Sequence, residues 1–389
     1  MGAAPVATME PLVIVGTGLA GYSLAREWRK LDTTTPLLIF TRDDGRYYSK
    51  PMLSSAYTSN KPPEAIALGD AAAMASQLNA EIRTRVTVEE LDAAAGTVRA
   101  GGVAHAYSNL VLAVGADPIH VPVEGDAAER VMTVNDLADY ANFRAAIATA
   151  RHVTIIGAGL IGCEFANDLL SGGIASAVID PAPFPLSRLL PAEAGQALAE
   201  AYAGFGVDWR FGRTVARVDR EGSRLRVTLS DGEALATDAV LSAIGLRPRT
   251  GLARAAGLAV NRGILVSRQL RTSSDRVYAL GDCAEVDGLV LPYVAPIMQA
   301  ARALAPTLAG RPTDVAYPPM PVLVKTSRYP VVVAPPRPGI AGNWGIERLE
   351  GGMRALYRTE DDRVEGYALL GGATAERQKL TRELPALLD

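Results

Sequence analysis

Two stretches of one shape dominate the chain. "VIVGTGLAGYSLA" spans residues 13–25, and "TIIGAGLIGCEFA" spans 154–166, 141 positions later. Each is a short apolar run, then three glycines in a GxGxxG spacing, then a helical pattern. The first glycine makes the tight strand-to-helix turn, the second lets backbone approach a pyrophosphate, and the third lets helix and strand pack closely. The helix N-terminus then offers free N–H groups and partial positive charge to phosphate. One such match is weak; two in full strand–turn–helix context predict two dinucleotide sites, at Gly16, Gly18 and Gly21 and at Gly157, Gly159 and Gly162.

The surrounding pattern repeats as well. In the first unit Leu12–Val15 reads as a strand, Leu19–Lys30 as a helix and 35–40 as the next strand, with a Gly-rich meander over 80–118. In the second, "HVTIIG", the helix Leu160–Ser171 and "ASAVID" precede strands over 207–245, with a hairpin signal at Asp231-Gly232. "VYALGDCAEV" (277–286) is a late strand, 295–310 a helix, and the last 75 or so residues a small β-rich unit with a terminal helix in "TAERQKLTRELPALL". The fold class is therefore α/β: two Rossmann-like domains and a small C-terminal α+β domain. The expected division begins with a disordered lead over 1–10 and ends with the end domain from 317–389, with the two nucleotide units between.

A ribose-binding carboxylate should end the second strand of each unit. In the second unit it is Asp180, with no arginine directly after it, which favours NAD over NADP. In the first, "LLIFTRDDG" puts Arg42 at that position and Asp43 next, leaving open which of them faces the ribose.

Composition excludes other classes. A net charge of −3 without a Lys/Arg run argues against nucleic acid. Two cysteines, Cys163 and Cys283, and three scattered histidines argue against a disulfide framework and a metal cluster. No apolar run approaches the roughly 20 residues of a membrane span. A reduced, cytoplasmic setting and a monomer are expected.

Two GxGxxG units followed by "YALGDCAEV" resemble the two-dinucleotide-binding-domain pyridine nucleotide–flavoprotein reductases, which implies that the late strand returns to the FAD domain (11–118 and 249–316), split around an NAD domain (119–248). Within them "LAREWRKLD", "DDGRYYSKPMLS", "LIGCEFANDL", "SAIGLRPRT", "GLAVNRGI" and "PMPVLVKT" are most similar to rubredoxin reductases of bacterial alkane oxidation. The resemblance implies FAD on the first loop (Gly16, Thr17, Gly18, Leu19, Ala20, Gly21), with Arg42, Asp43, Val86, Val114 and Gly115 along it. It puts Asp282 on the ribityl chain, Val294 and Ala295 at a helix N-terminus facing the flavin, and Lys325 reaching in from the end domain. It implies NADH at Gly157, Gly159, Leu160, Ile161, Gly162, Glu164, Asp180, Gly245 and Leu246. Lys50 and Glu164 are then the residues beside the reacting rings, expected as an ion pair. Flavin would take a hydride from NADH and release electrons singly to rubredoxin, with ferredoxin or flavorubredoxin as the alternative acceptor. "YYSKPMLSSAY" carries serines where related disulfide reductases carry a redox cysteine, so Cys163 and Cys283 are expected to be packing residues. Arg46, Lys50, Lys325 and Arg328 are the candidate basic rim for an acidic carrier.

Overall fold

The computed structural model describes residues 9–389, so most of the expected lead lies outside the described residues. Strand β1 (Leu12–Val15), helix α1 (Leu19–Arg29) and strand β2 (Leu37–Phe40) form the first βαβ unit, continued by β3 (Glu81–Arg83) and β4 (Asn109–Leu112). Every residue of β1 and β2 is buried, as a parallel sheet covered on both faces requires. Helix α1 lays Ala20, Gly21, Leu24, Ala25 and Trp28 on that sheet, the i, i+4 stripe of a core-facing helix.

The second unit repeats the plan with β5 (Val131–Met132), β6 (His152–Ile156), α2 (Leu160–Ser171), β7 (Ala175–Asp180), β8 (Val207–Phe211) and β9 (Ala239–Ser242). Its parallel order is β8-β7-β6-β9-β5. The chain then returns: β10 (Val277–Ala279) pairs parallel with β4, giving the first sheet the order β10-β4-β1-β2-β3. The outgoing 116–118 and returning 246–248 segments pair antiparallel as a two-stranded ribbon between the units. A three-stranded antiparallel meander accompanies each sheet, the second turning at Gly232 with φ +88°. Helix α3 (Val294–Leu308) packs beside α1.

The end unit is an antiparallel sheet of β11 (Val322–Val324), β12 (Val331–Ala334), β13 (Asn343–Leu349), β14 (Gly352–Arg358) and β15 (Val364–Gly371), in the order β11-β12-β15-β14-β13. Its Val324, Val331, Met353 and Leu370 share one apolar cluster with Ala194, Leu198 and Tyr202 of the second unit. The expected terminal helix is short, a 3₁₀ turn over Gly372–Glu376 and then α4 (Arg377–Glu383). Leu384 is extended, with ψ 143°, because the ring of the following Pro385 disfavours helical backbone there. The tail returns to pair Leu388 with Tyr317. Among the described residues no helix is long and apolar enough to cross a membrane.

Candidate active site

The two glycine loops are built alike. Gly16 and Gly157 have φ +118° and +105°, a region a side chain rarely adopts. A Cβ on either would strike a carbonyl oxygen of the strand end beside it, Ala113 or Ala243. A Cβ on Gly21 or Gly162 would strike the carbonyl of the first glycine of its own loop. At Gly18 and Gly159 it would meet nothing within 4 Å. The middle glycine of each loop therefore borders free space at a helix N-terminus, where a pyrophosphate fits.

A cleft of about 1150 Å³ runs from the first loop across to α2 and the end unit. It is lined by Gly16, Thr17, Gly18, Leu19, Ala20, Arg42, Asp43, Lys50, Val86, Val114, Gly115, Asp282, Val294 and Ala295 from the first half, with Leu160, Ile161, Glu164, Gly245, Leu246 and Lys325 opposite. Gly21, Gly157, Gly159, Gly162 and Asp180 lie outside its lining. Gly21 is packed beneath the first loop, and the other four belong to the second loop and the strand beside it.

The residues after β2, where a ribose contact is expected, divide into two roles. Asp43 accepts hydrogen bonds from Thr41 Oγ1 (2.6 Å), Thr17 Oγ1 (3.2 Å) and the Gly45 N–H (2.9 Å), which bind it to the glycine loop. Arg42 turns to Asp117 at 3.4 Å on the exposed side. The Val86 N–H is taken by the Thr41 carbonyl, which holds that segment against the same strand end. In the second unit Asp180 ends β7 as expected. Its Oδ2 accepts from the Ala158 N–H of the second loop (2.6 Å) and its Oδ1 from the Ala182 N–H (2.7 Å).

The expected Lys50–Glu164 pair is not formed. Glu164, 2% exposed, receives the Lys325 ammonium on Oε2 at 2.7 Å, the Ser54 hydroxyl on Oε2 at 2.6 Å and the Lys325 backbone N–H on Oε1 at 3.1 Å. Lys325 Nζ also donates to Ser54 Oγ (2.7 Å) and to the Pro51 carbonyl. Lys50 begins a 3₁₀ turn, Lys50–Ser54. Burial lowers its ammonium pKa, opposed most strongly by the charge of Asp282. Burial conversely raises the Asp282 carboxyl, opposed by Lys50 and Arg249. The two line the first half of the cleft without a direct ion pair between them, and each favours the charged form of the other. The physical reason is reach: β11 of the end unit brings Lys325 onto α2, and its ammonium takes the place assigned to Lys50.

Ser54 and Arg249 were missed as site residues. Ser54 stands in the serine-bearing stretch already singled out for lacking cysteine. Arg249 closes the "LRPR" turn, donates to the Val114 carbonyl (2.5 Å) and binds Asp117 (2.6 Å), so it ties the returning strand to the edge of the first site.

The expected basic rim mostly disappears. Arg46 is paired with Asp44 at 2.8 Å, Lys50 is drawn into the cleft lining and Lys325 is held by Glu164. Only Arg328 of the four is exposed without an ion pair among the described residues, its guanidinium over the Phe205 ring. Cys163 and Cys283 are buried, their thiols directed at backbone carbonyls. Burial pushes the Cys283 thiol up to about 11 and Cys163 higher still, so neither offers a thiolate.

Residues 10–305 match the family described as Pyridine nucleotide-disulphide oxidoreductase, and residues 314–384 match the Rubredoxin binding C-terminal domain. The chain is 49% identical to a Rubredoxin-NAD(+) reductase from Alcanivorax borkumensis, covering 98% of this chain and 100% of that one. It is 45% identical to the same-named protein of Acinetobacter baylyi, covering 96% and 97%. It is 39% identical to a Nitric oxide reductase FlRd-NAD(+) reductase from Aeromonas hydrophila, covering 96% of each. Among solved structures, the ferredoxin reductase for the CYP199A2 system from Rhodopseudomonas palustris shares the fold, with a TM-score of 0.86 at 24% identity over 97% of this chain and 95% of that one. The covalent putidaredoxin reductase–putidaredoxin complex superposes equally, with a TM-score of 0.86 at 25% identity over 97% and 94%. The twin glycine loops, the shared cleft and these matches agree: the chain belongs to the pyridine nucleotide-disulphide oxidoreductase family and ends in a rubredoxin binding C-terminal domain.

Proposed function

We propose that this protein is an FAD-dependent NADH:rubredoxin reductase, with FAD on the first glycine loop (11–118 and 249–316) and NADH on the second (119–248). The observation that carries the reading is the single cleft joining the first loop, Lys50 and Asp282 to Glu164 at the start of α2, with Lys325 of the rubredoxin binding domain reaching into it. FAD, when bound, supplies a ring that takes a hydride from NADH and gives up electrons one at a time. The chain's task is positioning. Gly18 and Gly159 leave room for the two pyrophosphates, and the N-termini of α1 and α2 face them. Asp43 braces the first loop and Asp180 the second, each placed to meet a ribose. Asp282 offers an acceptor to the flavin chain, with Lys50 holding its charge. Glu164 and Ile161 present one polar and one apolar surface to the nicotinamide side, and the first turn of α3 at Val294 and Ala295 opens toward the flavin side. We place the protein in the cytoplasm as a monomer, supplying a rubredoxin that serves alkane hydroxylation.

An anaerobic absorbance titration tests this. The purified protein should be yellow, bleach with about one equivalent of NADH, and regain colour when oxidised rubredoxin is added. A colourless protein, or one that stays oxidised under excess NADH, would overturn the proposal. Asp180→Ala should raise the KM for NADH about tenfold or more, the scale of a lost charged hydrogen bond, with flavin retained. Loss of flavin instead would mean that the two loops are assigned in reverse.

The similarity to FlRd-NAD(+) reductases at 34–39% identity supports a second acceptor, flavorubredoxin. Reduction rates with each purified carrier, under matched salt, distinguish the two.

A further inference from the structure

Asp168 has no role in the reading so far, yet it sits where a carboxylate is least welcome. It is 2% exposed, and it lies in the last turn of α2, where the partial negative charge of the helix end opposes it. A buried carboxylate persists only if its oxygens are well bonded. Here Oδ2 accepts the Tyr57 N–H at 3.0 Å and Oδ1 accepts the Thr58 N–H at 2.9 Å. The Thr58 hydroxyl donates to the Asp168 backbone carbonyl at 2.8 Å. Both donors belong to the first unit, just after the Lys50–Ser54 turn.

Glu164 is four residues earlier, on the same face of α2, and holds Ser54 at 2.6 Å. Two carboxylates one turn apart therefore grip one segment at two points, Ser54 and Tyr57–Thr58. That segment begins with Lys50, which lines the cleft together with Asp282. The helix that grips it begins at the second glycine loop. The clasp thus sets the distance between the two nucleotide sites. Only a carboxylate can accept two adjacent backbone N–H groups on two oxygens; an amide offers one acceptor and turns a donor toward the other.

We propose that Asp168 is a positioning residue for hydride transfer, holding the Lys50–Thr58 segment against the NADH-side helix so that the two rings meet at contact distance. This rests on the FAD and NADH assignment above. Misplacement of reacting groups by a fraction of an ångström to an ångström lowers rate rather than affinity.

The test is anaerobic stopped-flow bleaching of Asp168→Asn by NADH, with wild type alongside. Asp168→Asn should retain FAD and bind NADH within about twofold of wild type, while its limiting bleaching rate falls about tenfold or more. A limiting rate within twofold of wild type would overturn the proposal. So would a parallel loss of FAD, NADH affinity and rate, the signature of a merely structural residue. Should Asp168→Asn fail to fold, Thr58→Val decides. Its side chain is exposed, and a fall of about threefold in the limiting rate is expected, an unchanged rate counting against the clasp. Wild-type protein that does not bleach at all would instead overturn the FAD and NADH reading. Amide hydrogen exchange at Tyr57 and Thr58, slow in wild type and faster in Asp168→Asn, reads the clasp without any nucleotide.

Discussion

Asp282→Ala should yield a protein that sheds most of its flavin during gel filtration. Asp282 follows Gly281, whose φ of +80° turns the chain at the end of β10 and brings the next side chain into the cleft. Its carboxyl is raised by burial and held down by Lys50 and Arg249. Alanine removes the acceptor and leaves a cofactor hydroxyl unpaired where water enters poorly. It also strips Lys50 of the charge that most opposes its own desolvation. A charged hydrogen bond lost in such a place costs about 2–3 kcal/mol, or roughly a hundredfold in FAD affinity. The check is the ratio of flavin to protein absorbance after desalting, then titration with FAD. Asp282→Asn, which keeps an acceptor, should recover part of the loss. Full flavin retention in Asp282→Ala would remove this residue from the cofactor site.

The second large effect is expected at Lys325. Lys325→Met leaves Glu164 buried with only Ser54 and a backbone N–H, without its cation. Breaking a buried pair from one side costs about 3–5 kcal/mol; the Lys325 side chain is about one-third exposed, so water takes up part of the loss and about 2–3 kcal/mol is expected. The thermal midpoint should fall by several degrees. Glu164→Gln added to Lys325→Met should restore much of it, because a neutral amide needs no counter-charge. The double-mutant cycle measures that coupling. Additive losses in the cycle would mean that the two groups do not stabilise one another in solution.

What sequence made legible is local. The glycine loops, the strand end at Asp180 and the turn before Asp282 are each set by neighbours within a few residues, through backbone geometry with little freedom, whereas at Arg42 and Asp43 the sequence left the choice open. Cys163 and Cys283 could be read as filler for the same reason. The helix after Pro385 could have been discounted, since proline acts on the residue before it. What stayed hidden was the pairing of charges across units. Lys325 and Glu164 are separated by 161 positions, and two lysines were available to the one carboxylate. Reach decided the matter, and reach depends on how β11 packs against α2. The rim failed differently: Arg46 has its partner, Asp44, two positions away, and that neutralisation was open to a reading of spacing. Ser54 and Asp168 needed the third dimension, because their partners lie 110 and 111 positions distant.

The shared apolar cluster between the end unit and the second nucleotide unit has a consequence for how such reductases can be re-engineered. The carrier-recognising piece cannot be swapped like a cartridge. Cutting it away would strip the wall from the core around Leu198 and Tyr202 and withdraw an ammonium from the heart of the enzyme. A graft from another reductase would have to bring a lysine at the same place, together with a matching inner surface, before a new carrier could be served at all.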